Sequence, residues 1–133
     1  MATPIVYVDR SRITTSDIAA LKAATRQLAA FVEAHEPQLL HYAIFVDVQH
    51  ASMSVVAVHP DSASLAVHLA IGGPEFRKVG AFIELERIDV FGQPSSDVVA
   101  KLREKADALG RNAHVHVVTD GAGFSRLGSD PGV

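Results

Sequence analysis

The sequence predicts an α+β protein in which an antiparallel sheet is covered on both faces. Two runs rich in β-forming residues, Leu39–Val48 and Met53–His59, are separated only by Gln49–Ser52, which is typical of a β-hairpin. Both runs are apolar at successive positions, whereas a strand with one face in water alternates apolar and polar residues. We therefore expect helices of the same chain to cover one face, and a second copy of the chain to cover the other.

The loop of this hairpin determines which residues share a face. With His50 and Ala51 as the loop residues, the expected cross-strand pairs are Tyr42 with His59, Ile44 with Ala57 and Val46 with Val55. The opposite face would carry His41, Ala43 and Phe45 against Val56 and Val58. This pairing places His41 and His59 on different faces of the sheet.

The residues before the hairpin predict a short strand and a long helix. Ile5–Val8 consists of β-forming residues. Thr14–Asp17 then provides side chains that cap a helix N-terminus. Pro37 ends this helix, because proline disfavours helical geometry at the residue before it. The apolar residues at helical spacing between these limits are Ile18, Leu21, Leu28, Phe31 and Val32.

Two shorter helical segments are expected after the hairpin. Asp61 is the predicted N-cap of a helix over residues 62–71 (SASLAVHLAI). Gly72 and Gly73 interrupt this helix, and Pro74 suits the first turn of a second segment, where its missing N–H costs nothing. Phe76 then belongs to the apolar side of that second segment.

The last part of the chain predicts a strand, a helix and a further strand. Leu85–Phe91 alternates, which would place Leu85, Arg87, Asp89 and Phe91 on one side. Ser95 or Ser96 caps a helix that ends near Gly110, and Ala113–Val118 forms the final strand, followed by an irregular tail. The apolar stripe of this helix is Val98, Val99, Leu102, Ala106 and Leu109. We interpret its basic residues, Lys101, Arg103 and Lys105, as a solvated face.

The predicted order is β-α-β-β-α-β followed by α-β. The first six elements are those of the ferredoxin-like fold, a four-stranded antiparallel sheet with helices on one face. We expect a single domain over residues 1–133, with a ferredoxin-like core at residues 3–92 and a C-terminal αβ extension at residues 93–133. A homodimer formed through the helix-free face would bury the remaining apolar surface.

Composition argues against several classes of function. The chain of 133 residues has a net charge of −3 with its charges scattered, so neither nucleic acid nor a membrane surface is an expected partner. It contains no cysteine, which excludes disulfides and thiolate nucleophiles and fits a cytoplasmic location. The N-terminal apolar run is interrupted at Asp9, so no signal peptide or membrane helix is expected.

Three stretches resemble the antibiotic-biosynthesis-monooxygenase family of dimeric α+β barrels. They are HEPQLLHYAIFVD (35–47), VVAVHPDSASLAVHL (55–69) and GPEFRKV (73–79), and the resemblance covers about residues 3–92. Tyr42, Asp61, His68 and Phe76 match positions of the family pattern. The resemblance implies a dimeric α+β barrel that binds a small aromatic or hydrophobic ligand and needs no cofactor. The superfamily includes quinol monooxygenases, haem-degrading enzymes, decarboxylases, dehydratases and proteins without known activity.

His68 is the candidate catalytic residue. It lies on the side of its helix that faces the sheet, and an imidazole there can act as a general base near neutral pH. A buried histidine that only donates a hydrogen bond to a carbonyl is the structural alternative. Tyr42, His59 and Phe76 are the expected ligand-binding neighbours, although Tyr42 and His59 could also form a stacked pair that fills space. Tyr7 is a weaker candidate.

No metal site is expected. His114 and His116 share a strand face but lack a third ligand at suitable spacing. Arg87 could anchor an anionic ligand or form an ion pair at a dimer interface.

Two classes of function remain open from the sequence. The first is a cofactor-free monooxygenase that deprotonates a quinol-like or aromatic substrate, which then reduces oxygen itself. The second is a non-catalytic ligand-binding or stress-related module of the same fold. A pocket filled by Phe76 and Phe82 without a titratable group would favour the second class.

Overall fold

The computed structural model describes residues 3–127. Its elements are β1 (Ile5–Ile13), α1 (Ile18–His35), β2 (His41–Asp47), β3 (Ser52–His59), α2 (Ser62–Ile71), α3 (Gly73–Gly80), β4 (Ile83–Phe91), α4 (Ser96–Leu109) and β5 (His114–Val118). This order confirms the predicted βαββαβ arrangement and the added helix and strand. Residues 119–127 form no helix or strand, and residues 128–133 of the predicted irregular tail lie outside the described residues.

The five strands form one sheet in the order β2-β3-β1-β4-β5. Neighbouring strands are antiparallel except β4 and β5, which are parallel. The helices and one face of this sheet share a single hydrophobic core. Helix α4 contributes Val98, Leu102 and Ala106 to it, so the C-terminal extension packs into the same core as the rest. The division at residue 92 stays a prediction.

Strand β1 is longer than predicted. It continues past Val8 to Ile13, because its backbone pairs with β3 on one side and with β4 on the other. Along the longer strand Tyr7, Asp9 and Ser11 alternate onto the face that carries the helices, and all three are buried. Pairing with two neighbours thus outweighs the low strand propensity of the polar residues, and it brings polar groups into the core.

The hairpin register differs from the predicted one by two residues. Tyr42 lies opposite Ala57 and not opposite His59. The connection is Val48–Ala51, longer than the assumed loop, and Ala51 takes a positive φ of 49°. The other pairs shift in the same way, to Ile44 with Val55 and Val46 with Met53. Because the shift is even, every side chain keeps its predicted face.

A β-bulge in β4 changes which of its residues share a face. Arg10 pairs with Arg87 while Ser11 pairs with Leu85, so Glu86 has no partner on β1. Leu85 therefore lies in the core and not on the side of Arg87, as simple alternation had predicted.

The helix ends follow the predicted capping chemistry. The N-caps of α1, α2 and α4 are Asp17, Asp61 and Ser95, and each side chain accepts a hydrogen bond from a backbone N–H three residues on. Helix α1 ends at His35, before Pro37, as expected. Within residues 3–127, no helix is both long enough and apolar enough to cross a membrane.

The helix-free face of the sheet is apolar at one end and polar at the other. Its exposed large apolar side chains are Phe45, Phe91 and Val118, and its partly exposed ones include Val6, Val8, Ala43 and Val56. The polar side chains on the same face include Arg10, Arg12, Asp47, Ser54, Arg87, Asp89 and His116.

A buried polar cluster as the candidate active site

Glu36 and His68 form a buried pair between α1 and α2. Glu36 is the C-cap residue of α1, His68 lies in the last turn of α2, and they are 2% and 1% exposed. His68 Nδ1 lies 2.7 Å from Oε2 and 2.9 Å from Oε1 of Glu36. The carboxylate accepts only, so Nδ1 carries the hydrogen and donates it, which leaves the lone pair of the imidazole on Nε2.

This arrangement gives His68 the properties of a general base. Burial lowers the pKa of His68, and the hydrogen bond to Glu36 opposes that effect. The imidazole is therefore neutral near neutral pH and can accept a proton at Nε2. Glu36 fixes the tautomer and would stabilise the imidazolium that forms.

The residues selected from the sequence converge on this imidazole. The ring centroid of His68 lies 5.4 Å from that of Tyr42, 5.4 Å from that of His59 and 4.9 Å from that of Phe76. Asp61, which also matches the family pattern, instead caps α2 through its hydrogen bond to the backbone N–H of Ser64. The structure thus brings the four predicted site residues together, and the roles assigned to them stay predictions.

His59 is fully buried, and only one of its two ring nitrogens has a hydrogen-bond partner among residues 3–127. Its Nδ1 lies 2.7 Å from the hydroxyl of Ser64, while its buried Nε2 has no hydrogen-bond partner among residues 3–127. Burial, reinforced by the nearby His68, lowers the pKa of His59 to about 3. His59 is therefore neutral and presents a second unpaired ring nitrogen to the cluster.

Three further polar side chains, Tyr7, Asp9 and Lys105, form a second buried group, which contacts Phe76 through Lys105. Tyr7 donates a hydrogen bond of 2.6 Å to Asp9 Oδ2, and Lys105 Nζ donates one of 2.8 Å to the Tyr7 hydroxyl. Lys105 Nζ is also 3.7 Å from Asp9 Oδ2 and 4.5 Å from the centroid of the Phe76 ring. The prediction that Lys105 is solvated was wrong, since its side chain is only 12% exposed.

Burial perturbs the proton affinity of all three groups. It raises the pKa of Tyr7, raises that of Asp9 against the opposing effect of Lys105, and lowers that of Lys105. Burial also raises the pKa of Tyr42, which therefore stays protonated. Perturbed groups of this kind are concentrated at functional sites.

Sequence reasoning missed Glu36, Asp9 and Lys105, although signals for two of them were present. Extending β1 beyond Val8 would have placed Asp9 in line with Tyr7 on the core face. Lys105 lies three residues after Leu102, within the apolar stripe of α4. Nothing in the local pattern distinguishes Glu36 from other acidic residues at a helix end.

A surface cleft leads towards the Glu36 and His68 pair. Its volume is about 590 Å³, and it lies between the end of α1 and strand β2. Glu36 and Tyr42, which both contact His68, line it together with Pro37 and Leu39. The cleft therefore reaches two of the side chains that contact His68.

The remaining histidines make no comparable site. The rings of His114 and His116 lie 6.0 Å apart on β5, and His116 Nδ1 is 3.7 Å from Asp89. Arg87 donates a 2.7 Å hydrogen bond to Asp89, so its charge is paired on the helix-free face. Among residues 3–127, no group of three or more potential metal ligands is assembled.

Solved structures of similar shape define the class of fold. The chain superposes on MupZ from Pseudomonas fluorescens with a TM-score of 0.70 and 18% sequence identity, covering 98% of this chain and 97% of that one. It also resembles SnoaB, a cofactor-independent oxygenase from Streptomyces nogalater (TM-score 0.58, 20% identity, 71% and 97% coverage). A third similar structure is described as an antibiotic biosynthesis monooxygenase (TM-score 0.54, 21% identity, 65% and 92% coverage).

The chain therefore has the α+β, ferredoxin-like fold of antibiotic biosynthesis monooxygenases. The resemblance seen in the sequence is confirmed at the level of the fold. No protein-family model and no curated protein sequence matches the chain.

Proposed function

We propose that this protein is an enzyme that binds a small aromatic molecule and removes a proton from it in the buried polar cluster. The observation that supports this proposal is the buried Glu36 and His68 pair. Removing a carboxylate from water costs several kcal/mol, which an apolar pair of similar size would avoid. An oriented base beside an unpaired ring nitrogen of His59 is the arrangement that proton transfer requires.

In the proposed reaction, His68 Nε2 accepts a proton from a hydroxyl or an activated carbon of the substrate. Nδ1 remains hydrogen-bonded to Glu36, whose negative charge stabilises the imidazolium. Tyr42, His59 and Phe76 surround His68 and would hold the aromatic ring of the substrate against it.

The proposed reaction class is cofactor-free monooxygenation of a quinol-like or aromatic substrate. The deprotonated substrate would reduce oxygen itself. For a quinol, one oxygen atom enters the ring to give a hydroxyquinone and the other leaves as water, so the substrate supplies all the electrons. The fold shared with SnoaB, a cofactor-independent oxygenase, supports this choice of class.

A non-catalytic ligand-binding module is the second candidate. It is favoured by the position of Phe76, whose ring packs directly on His68 and occupies space that a substrate would use. The buried titratable groups that contact Phe76 favour the enzyme instead, because a purely binding pocket has no need for a buried acid–base pair.

We further propose that the protein acts as a homodimer in the cytoplasm. The apolar end of the helix-free face supports the dimer. The absence of cysteine from the sequence is consistent with a reducing compartment.

Oxygen consumption with a series of quinols and other phenols tests the proposed function. We expect turnover by the wild-type protein and a loss of about a hundredfold or more in His68→Gln, because general base catalysis contributes at least that much. His50→Gln is the matched control, since His50 lies in the exposed hairpin turn. Ligand binding without oxygen consumption by the wild-type protein would support the binding module, and equal turnover by both variants would contradict the role of His68.

A further inference from the structure

We propose that Lys105, positioned by Tyr7, forms a subsite for an ionised oxygen atom of the substrate, so that helix α4 completes the active site. The proposal rests on the proposed function, because it specifies what would hold the anion that His68 generates. It assigns to the substrate a phenolate or enolate oxygen bound at Lys105 Nζ.

The ammonium group of Lys105 has donors to spare. An ammonium carries three N–H bonds, and one of them is used by the hydroxyl of Tyr7 at 2.8 Å. Asp9 Oδ2 lies 3.7 Å away, beyond hydrogen-bond distance, and Asp9 instead accepts the hydrogen of Tyr7 at 2.6 Å. Asp9 and Tyr7 thereby hold the lysine in place while leaving part of its donor capacity for a ligand.

Lys105 and His68 lie close enough to the same ring, that of Phe76, for a single substrate molecule to contact both. Both side chains contact Phe76, at 4.5 Å from Nζ to the ring centroid for Lys105 and at 4.9 Å between centroids for His68. An aromatic ligand in the place of the Phe76 ring would therefore contact both the base and the ammonium group. An oxygen anion conjugated with the site of deprotonation is the group that such a ligand would present to Lys105.

An unpaired polar atom beside Lys105 supports a polar ligand. Asp9 Oδ1 is buried and has no hydrogen-bond partner among residues 3–127, and Lys105 Nζ lies 3.7 Å from the other oxygen of the same carboxyl group. Ser11 Oγ and His59 Nε2 are also buried and unpaired, but Ser11 pairs with Met53 and His59 with Ile5, so they lie far apart along the strands. Buried polar atoms are nearly always paired in folded proteins, so a ligand that carries a hydrogen-bond donor next to its ionised oxygen would satisfy Asp9 Oδ1.

The subsite depends on the C-terminal extension. Tyr7 and Asp9 belong to β1 of the ferredoxin-like core, whereas Lys105 belongs to α4, which follows that core in the sequence. Without α4, Asp9 would lose Lys105 as its cationic neighbour.

Binding of para-nitrophenol tests the subsite, because its phenolate absorbs visible light and its phenol form does not. The ammonium group of Lys105 favours the phenolate form, so para-nitrophenol bound beside it should ionise at lower pH than the free compound. In Lys105→Met we expect this shift to disappear and the affinity for the phenolate to fall about tenfold to hundredfold. Lys101→Met, an exposed position on the same helix, should behave as the wild-type protein.

A double variant keeps the test valid if Lys105→Met fails to fold. Removing the lysine alone leaves the carboxylate of Asp9 without its cation, so Lys105→Met combined with Asp9→Asn removes both charges together. The double variant should fold and show the same loss of the ionisation shift. An unchanged shift in either folded variant, or no binding of para-nitrophenol to the wild-type protein, would overturn the proposal.

The two proposals fail separately. If Lys105→Met loses the shift while His68→Gln still consumes oxygen with quinols, the subsite stands and the proposed base is wrong. If His68→Gln is inactive while Lys105→Met binds the phenolate normally, the subsite is wrong and the proposed base stands.

Discussion

The buried imidazole of His59 makes the stability of the protein depend on pH. Its pKa falls from the ordinary value of 6.5 to about 3 on folding, so protons bind to the unfolded chain first as the pH is lowered. Stability is therefore fully present above about pH 6.5 and declines towards pH 3. The lowered pKa of His68 adds to this decline, and the raised pKa of Asp9 partly offsets it.

Melting temperatures of His59→Gln and His50→Gln test this dependence. Replacing His59 removes a group that must stay neutral in the folded state, so we expect a smaller fall in melting temperature between neutral pH and about pH 4. His50→Gln, at an exposed position, should retain the fall of the wild-type protein. An equally steep fall in both variants would show that His59 does not control acid stability.

The sequence identified those site residues whose position follows from a local pattern. His68 and Phe76 were found because helical periodicity sets the sides of α2 and α3 that face the sheet. Glu36 could not be found in this way, because its contact with His68 depends on how the end of α1 packs beside α2. The buried position of Lys105 could be predicted only together with the full length of β1, because its partners Tyr7 and Asp9 lie far away in the sequence.

At the scale of elements, caps and periodicity located every helix and strand, and pairing determined their ends. The polar half of β1 is a strand only because β3 and β4 flank it. The hairpin register and the bulge at Glu86 likewise depend on partner strands. Such features cannot be obtained from single-strand propensity, which is why these boundaries were wrong while the element order was right.

The break between α2 and α3 holds Phe76 against the candidate site. Gly72 lies at this break, and a Cβ built on it would be only 2.5 Å from Cζ of the Phe76 ring. We expect Gly72→Ala to displace the ring and lower the free energy of unfolding by about 1–3 kcal/mol, the usual cost of overpacking. Denaturant unfolding would measure this loss.

Gly73→Ala is the matched control for this prediction. A Cβ at Gly73 meets nothing within 4 Å, so we expect a change of no more than about 0.5 kcal/mol. Adding Phe76→Leu should reduce the cost of Gly72→Ala, because the smaller side chain leaves room for the methyl group. Additive effects of the two substitutions would mean that the Phe76 ring is not what restricts this position.

At the scale of the molecule, the helix-free face of the sheet carries exposed apolar side chains that no described helix covers. Phe45 is 59% and Phe91 43% exposed on it, on strands at different positions across the sheet. Between them the partly exposed valines of β1 and β3 continue the apolar surface. Monomeric proteins rarely leave so continuous an apolar patch in water, and a second copy placed face to face would bury it.

Phe45→Asp should therefore convert a dimer into a monomer. Phe45 lies on the edge strand β2 and is the large exposed apolar side chain of that strand, so the substitution places a charge in the proposed contact, where it loses its hydration. Because the side chain of Phe45 is mostly exposed in the single chain, the fold of the monomer should be retained and its circular dichroism spectrum unchanged. Phe124→Asp is the matched control, since Phe124 is 81% exposed and lies outside the sheet. Sedimentation equilibrium at micromolar concentration should show a dimer for the wild-type protein and for Phe124→Asp, and a monomer for Phe45→Asp. A monomeric wild-type protein would contradict the proposed dimer. A dimeric Phe45→Asp variant would place the dimer interface on another surface.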